Sequence, residues 1–214
     1  MKILLCIPGA NFSREFIIHF IQFINQLQLH GITFMIRMQY SPVVHFARAQ
    51  CLGGNVLGQS IQIPMNGEFD FIFWIDSDIV FQYEQFERLL QMDKDVVAGW
   101  YSMADATNTP IVESFDDEYF IKMGSYRFLP ISEIVQRTDP FSCAYVGMGF
   151  FLMKSKVFEK ITYPWFYEPA HTFPNGTIEM MSEDVSFCQK LRNAGFTIWV
   201  DPTVRVGHQK LMIL

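Results

Sequence analysis

The sequence predicts an α/β protein with a parallel central sheet, on three observations. Strand-like and helix-like apolar patterns alternate through the first 80 residues, the order that builds right-handed strand–helix–strand units. The run Phe71-Ile72-Phe73-Trp74-Ile75 is apolar throughout and ends in Asp76-Ser77-Asp78. A continuous apolar run of this kind belongs to a strand buried on both sheet faces. Finally, 214 residues of which 50% are hydrophobic, with 22 Phe, are enough for one sizeable core.

The elements follow in order. Ile3 to Ile7 is a strand, left through the turn Pro8-Gly9-Ala10-Asn11. Apolar residues then recur at Phe16, Ile17, Phe20, Ile21, Phe23, Ile24 and Leu27. That spacing predicts a helix over 13–30, capped by Ser13 or Asn11 and stopped at Gly31. Ile32 to Tyr40 is a second strand, and Pro42 opens a helix through His45, Arg48 and Cys51 toward Gly53 and Gly54. Phe69 to Ile75 is the third strand, Tyr83 to Met92 a short helix and Asp95 to Tyr101 a strand. Periodicity is lost from Met103 to Thr138, with a loop at 105–110 and a strand expected over Tyr126 to Ile131. Tyr145 to Met153 is a strand interrupted by Gly147 and Gly149, followed by a helix to Lys160. Trp165 to Tyr167 and His171 to Thr177 form an aromatic loop. Ser182 to Ala194 is a helix stopped by Gly195, and Phe196 to Val200 the last strand.

Composition narrows the function. A net charge of −6 without a Lys/Arg-rich run argues against nucleic acid as the partner. Four scattered cysteines with no Cys-x-x-Cys pair give neither a zinc spacing nor a disulfide framework; reduced thiols in a cytoplasmic setting are expected. The short apolar start is cut by Pro8-Gly9 and is too short for a signal h-region or a membrane span. With no repeat or linker, one domain over 1–214 is expected, and its apolar last residues are compatible with a domain cut from a longer chain.

Four constellations bear chemistry. Asp76 and Asp78 at a buried strand end are costly unless a cation or donors meet them; as hard oxygen donors they suit Mg²⁺ or Mn²⁺, and through it a diphosphate. Against this stands a turn that merely uses aspartate. Glu183 and Asp184 follow Ser182 at a helix start, where two acids already suit the macrodipole; the same field would hold a carboxylate ready as a general base. His208 follows a strand and would complement two carboxylates at a metal. Arg48 is either a solvated helix charge or a guanidinium for a nucleotide. Gly147-Met148-Gly149 marks a bulge or a close ligand approach to backbone.

The order of these pieces along the chain resembles the GT-A glycosyltransferases, small single-domain members above all. The resemblance is carried by the strand ending in Pro8, the Ala47-Arg48 helix, Asp76-Ser77-Asp78, Val97-Ala98-Gly99, Gly147-Met148-Gly149-Phe150, Ser182-Glu183-Asp184 with the Gly195 stop, Val200-Asp201-Pro202 and His208. It covers nearly the whole chain and extends to transferase domains with which algal (chlorella) viruses glycosylate capsid protein, implying a host-cytoplasmic location. It implies a Rossmann-like, mixed, mostly parallel sheet flanked by helices. It further implies a nucleotide-sugar donor, UDP-sugar first, and a glycan or glycoprotein acceptor. Asp76, Ser77 and Asp78 would meet donor and Mn²⁺ (or Mg²⁺), with His208 as third metal ligand. Pro8, Gly9, Arg48 and Gly147 would line the donor, and Asp184, with Glu183 beside it, would be the base of an inverting transfer. One departure is that Arg37, Gln39 and Tyr40 stand where members often place an acid toward uracil.

Two rivals are weighed. A haloacid-dehalogenase-type phosphohydrolase would use Asp76 as nucleophile, but its motif belongs to the first strand of that fold and no downstream Gly-Asp pair is present. A non-catalytic nucleotide-sugar binding module would keep Asp76 and Asp78 and gain nothing from Glu183 and Asp184. Trp165, Phe166 and Tyr167 would either stack on an acceptor sugar or fill the core.

Overall fold

The computed structural model describes residues 1–210, so the apolar residues 211–214 lie outside the description. The first half alternates as expected: β1 (Lys2–Pro8), α1 (Arg14–Leu29), β2 (Thr33–Gln39), α2 (Val44–Cys51), β3 (Phe71–Ile75), the short β4 (Ile79–Val80), α3 (Tyr83–Gln91) and β5 (Val96–Trp100). Ser13 caps α1 by accepting a hydrogen bond from the Phe16 N–H, and Phe16, Phe20, Phe23 and Leu27 are its buried stripe. The second half holds β6 (Ile111–Val112), α4 (Asp117–Met123), α5 (Ile131–Ile134), β7 (Phe141–Cys143), β8 (Tyr145–Val146), β9 (Phe150–Lys154), β10 (Ala170–Thr172), β11 (Ile178–Met180), α6 (Glu183–Asn193), β12 (Ile198–Arg205) and β13 (Gly207–His208).

Seven strands form the central sheet in the order β2-β1-β3-β9-β5-β12-β7. The β2/β1, β1/β3 and β5/β12 pairs are parallel, while β9 runs antiparallel between β3 and β5 and β7 antiparallel beside β12. The expected mixed, mostly parallel sheet flanked by helices is therefore the observed one. Two cores lie on its faces. One gathers Phe16, Phe23, Phe73, Phe81, Phe86 and Phe150 under α1 and α3. The other gathers Trp74, Phe151, Phe158, Trp165, Phe166 and Phe187 under α2 and α6. Ile72 to Ile75 are fully buried, as a two-faced central strand requires.

Several expectations are corrected. The strand expected over 126–131 does not form: Pro130 has no N–H to continue a ladder and instead caps the single-turn α5. The unperiodic stretch also holds α4, capped by Asp116 accepting from the Tyr119 N–H. Tyr145 to Met153 is not one strand. It divides at Gly147-Met148-Gly149 into β8, paired with β6, and β9, paired with β3 and β5. The Tyr101 ring explains the break, since a Cβ on Gly149 would lie 2.9 Å from it. The helix expected up to Lys160 is a 3-10 turn over Ser155–Glu159, because its buried residues, Val157 and Phe158, are adjacent and give no i, i+4 stripe. β12 runs on to Arg205 through Pro202, with a shift in register against β5 between Val200 and Arg205; an irregularity of this kind is where a strand tolerates proline. In the aromatic loop, β10 and β11 form a hairpin, and Trp165 and Phe166 are core residues against Phe158 and Phe187. Tyr167 alone of that trio is exposed.

Candidate active site

The acidic residues predicted from sequence meet at the C-terminal rim of the sheet. β3 delivers Asp76, whose backbone N–H donates to Gly149 O at 3.0 Å, so the strand end is tied to the glycine turn before β9. The Asp76 carbonyl accepts from Ile79 N–H at 3.1 Å, a tight turn that swings Asp78 to the opposite side. There β4 pairs antiparallel with β13, Ile79 opposite His208. That pairing joins segments far apart in the sequence and brings His208 Nε2 to 3.2 Å from Asp78 Oδ2. Gly9 is required nearby: its φ is +155°, and a Cβ there would lie 2.5 Å from Ser77 Oγ. The turn after β1 thus packs directly on the Asp-Ser-Asp turn.

Arg48 is the hub. The chain places it on α2 at 3% exposure, so it is not a solvated helix charge. Its Nη2 lies 3.2 Å from Asp76 Oδ1, its Nε donates to Glu183 Oε1 at 3.1 Å, and its guanidinium carbon sits 5.5 Å above the Trp74 ring. Burial disfavours the guanidinium charge, yet the carboxylates of Asp76, Glu183 and Asp184 outweigh it and raise the Arg48 pKa. Burial in turn raises both Asp76 and Glu183, with Arg48 pulling each back down. Glu183 is therefore turned inward onto Arg48 rather than toward an acceptor.

Asp184, the next residue, makes no ion pair with Arg48 and is held by a separate set of donors. Tyr145 O–H donates to its Oδ2 at 3.0 Å; Ser182 O–H at 2.5 Å and Val185 N–H at 2.8 Å donate to its Oδ1. Burial and the Asp184 charge keep the Tyr145 pKa well above its ordinary value, so Tyr145 acts as a donor. Three of about four acceptor positions on the carboxylate are filled, leaving room for one further hydroxyl. Tyr145 carries no sequence signal for this role; only the β6–β8 pairing puts it beside α6.

Asp78 is held from two sides. Burial works against its charge, but hydrogen bonds from His208 and from Lys210, whose Nζ is at 2.8 Å, bring its pKa down to about 2. His208 Nδ1 lies 2.8 Å from Ser102 O, which fixes the ring with Nε2 toward Asp78. Burial would lower the His208 pKa, and the Asp78 and Ser102 contacts raise it. Lys210 has no sequence signal, since a lysine near a chain end gives no pattern.

Among the described residues no group of three or more His, Cys, Asp or Glu side chains stands assembled as a metal site. Asp78 and His208 are in contact, whereas Asp76 faces Arg48. The residues nonetheless fit a hard divalent ion. Asp76 Oδ1 is buried and makes no aligned hydrogen bond, and the ring of His208 is oriented through its far nitrogen, the usual support for a metal-bound imidazole. Gly147 packs against Tyr101 and Pro110, and Pro8 ends β1 beside β2, its neighbour Gly9 donating to Gln39 O.

No protein-family model matches the chain, and no curated protein matches it in sequence. Solved structures do match it in fold. A197 from STIV has 17% identity and a TM-score of 0.55, covering 100% of this chain and 97% of that one. The catalytic domain of Drosophila beta1,4galactosyltransferase 7, in complex with xylobiose, has 13% identity and a TM-score of 0.52, covering 98% and 71%. GalNAc-T7 with UDP, GalNAc and Mn²⁺ has 11% identity and a TM-score of 0.50, covering 95% of this chain and 37% of that one. At such identities the likeness is one of fold, and it is the GT-A fold that the sequence led us to expect. No described helix is long and apolar enough to cross a membrane.

Proposed function

We propose that this chain is a metal-dependent glycosyltransferase that moves a sugar from a nucleotide-sugar donor, UDP-sugar first, to a glycan or glycoprotein hydroxyl with inversion. The observation that carries the reading is the division of four carboxylates around Arg48. Asp78 is held by His208 and Lys210, Asp76 and Glu183 are held by Arg48, and Asp184, whose charge acts on the same cluster, keeps an open acceptor position. The fold shared with two glycosyltransferases supports it.

Mn²⁺ or Mg²⁺, held by Asp76, Asp78 and His208, would supply a Lewis acid for charge developing on the departing diphosphate. The chain's own residues do the rest. Asp184 accepts the proton of the attacking acceptor hydroxyl as its oxygen bonds to the anomeric carbon. Tyr145 and Ser182 fix that carboxylate's direction, so that the base is aimed rather than merely present. Arg48 neutralises Asp76 and Glu183 and is a positioning residue for both.

Thermal shift with nucleoside diphosphates and nucleotide sugars, in Mn²⁺ and in chelator, tests donor and metal, since a ligand that binds the folded state raises its stability. Asp184→Asn should keep the donor-induced shift and lose about 10²–10⁴-fold in transfer rate. Asp78→Ala should lose the metal-dependent shift. Transfer by Asp184→Asn at the parent rate would remove the base assignment.

A further inference from the structure

Tyr101 stands at the same rim and has no part in the metal and base assignments. β3 and β5 both run antiparallel to β9. The residues that follow them, Asp76 and Tyr101, therefore emerge at one end of the sheet, on either side of the Gly147–Gly149 turn that leads into β9. Tyr101 is 7% exposed, and its ring meets the His208 ring edge-on with centroids 4.7 Å apart. The phenol oxygen is seated in the glycine turn. It accepts from the Gly149 N–H at 3.3 Å, and the carbonyl of the same glycine accepts from the Asp76 N–H. A Cβ on Gly149 would lie 2.9 Å from this oxygen and one on Gly147 would collide with it, so both glycines make room for the hydroxyl. Two residues before Gly147, Tyr145 gives its proton to Asp184.

The Tyr101 hydroxyl differs from that of Tyr145 in having no acceptor for its own proton among the described residues; its one hydrogen bond is the one it receives from Gly149. A buried polar group with an unused donor is uncommon. The proton stays on the oxygen. Burial raises the Tyr101 pKa well above its ordinary value, the charges of Asp76 and Asp184 raise it further, and the Gly149 N–H and Arg48 offset only part of this. Two carboxylates from separate elements thus act on one phenol, which lies between them.

In the proposed transfer the sugar also lies between them, its diphosphate on the side of Asp76 and Asp78 and the attacking hydroxyl at Asp184. A neutral donor suits a sugar hydroxyl, which can accept from the phenol and give its own proton to a carboxylate. A diphosphate calls for positive charge instead. We infer that Tyr101 is a specificity-determining residue whose O–H donates to a hydroxyl of the transferred sugar. The inference rests on the transferase reading and adds to it the group that reads the sugar. A site built to hydrogen-bond a hydroxyl rejects analogues that lack it.

Tyr101→Phe removes one oxygen and keeps the ring against His208. The probes are UDP and a panel of UDP-hexoses and UDP-N-acetylhexosamines, all with Mn²⁺. The thermal shift with UDP alone should match that of the parent protein, because UDP carries no sugar. For the preferred UDP-sugar, kcat/KM should fall about tenfold, the size of one hydrogen bond. Among the monodeoxy analogues of that sugar, one should lose the same tenfold with the parent protein and nothing further with Tyr101→Phe, the non-additivity expected of two partners in one contact. A tyrosine that only packs the turn would weaken the UDP shift and all analogues alike, and that result overturns the assignment. An unchanged kcat/KM over an intact UDP shift overturns it too, as does a parent protein indifferent to every deoxy position, which needs no substitution at all. If the parent protein responds to no UDP-sugar, the transferase reading itself falls and the tyrosine's role with it.

Discussion

Replacing Arg48 with methionine tests the charge arrangement of the site most directly. The guanidinium lies 3.2 Å from Asp76 and 3.1 Å from Glu183 and is 3% exposed. At an effective dielectric constant of about 20, each contact is worth about 5 kcal/mol of Coulomb attraction. Desolvation of three charged groups offsets most of this, and removing one member of such a buried set costs about 3–5 kcal/mol, because the remaining charges are left uncompensated. For a chain of this size that is a fall in Tm of about 6–20 °C. Methionine keeps the apolar stem but loses the guanidinium over Trp74, so the double substitution with Glu183→Met is what separates the charge from the lost packing. The assay is urea denaturation followed by tryptophan fluorescence, with the midpoint and slope fitted together. Arg48→Met with Glu183→Met should be less destabilised than Arg48→Met alone, since one stranded carboxylate is then gone. A loss below about 1 kcal/mol for Arg48→Met, the worth of a surface ion pair, would refute the buried hub. So would strict additivity of the two substitutions.

Other outcomes follow from particular contacts. Gly9→Ala should destabilise by about 1–3 kcal/mol, because φ is +155° and the new Cβ would press on Ser77 Oγ at 2.5 Å; an unchanged urea midpoint would show that the two turns can move apart. All four thiols are buried and unpaired, and burial pushes Cys143 up to about 12, so an aromatic disulfide reagent should titrate almost none before unfolding and all four after it. Asp105 accepts from the Asn108 side chain and from the Thr107 and Asn108 N–H groups, which hold it down to about 2. The pKa is depressed on folding, so the contribution to stability is complete above the ordinary aspartate value of about 3.9 and is lost as pH falls toward 2. An NMR titration of its side-chain carbonyl showing a midpoint near 3.9 would contradict this.

Locally patterned features are legible in the amino-acid sequence. Continuous apolar runs mark β1, β3 and β5, the 3.6-residue stripe marks α1, and the Ser182 and Gly195 signals bracket α6, because each depends on neighbours within one or two turns of chain. The candidate residues are likewise found from their chemical type and position: Asp76 and Asp78 at a buried strand end, two acids at a helix start. What fails lacks a local period. α4 is made by its cap, β7 by long-range pairing with β12 and the β10–β11 hairpin by a turn between two three-residue strands too short to show a period, and the strand expected over 126–131 ignores the missing N–H of Pro130.

By itself, then, the sequence determined the sheet-and-helix alternation and the acidic rim, since burial period and side-chain chemistry are properties of short segments. Tertiary structure alone decided how the charges are shared. Pairing of β4 with β13 brought His208 and Lys210 to Asp78, and the reach of Arg48 from α2 to the first turn of α6 turned Glu183 inward. The placing of β8 beside α6 gave Asp184 its tyrosine. Such contacts join residues more than a hundred positions apart in two of the three cases, and no spacing along one chain can specify which of two adjacent carboxylates will face the interior.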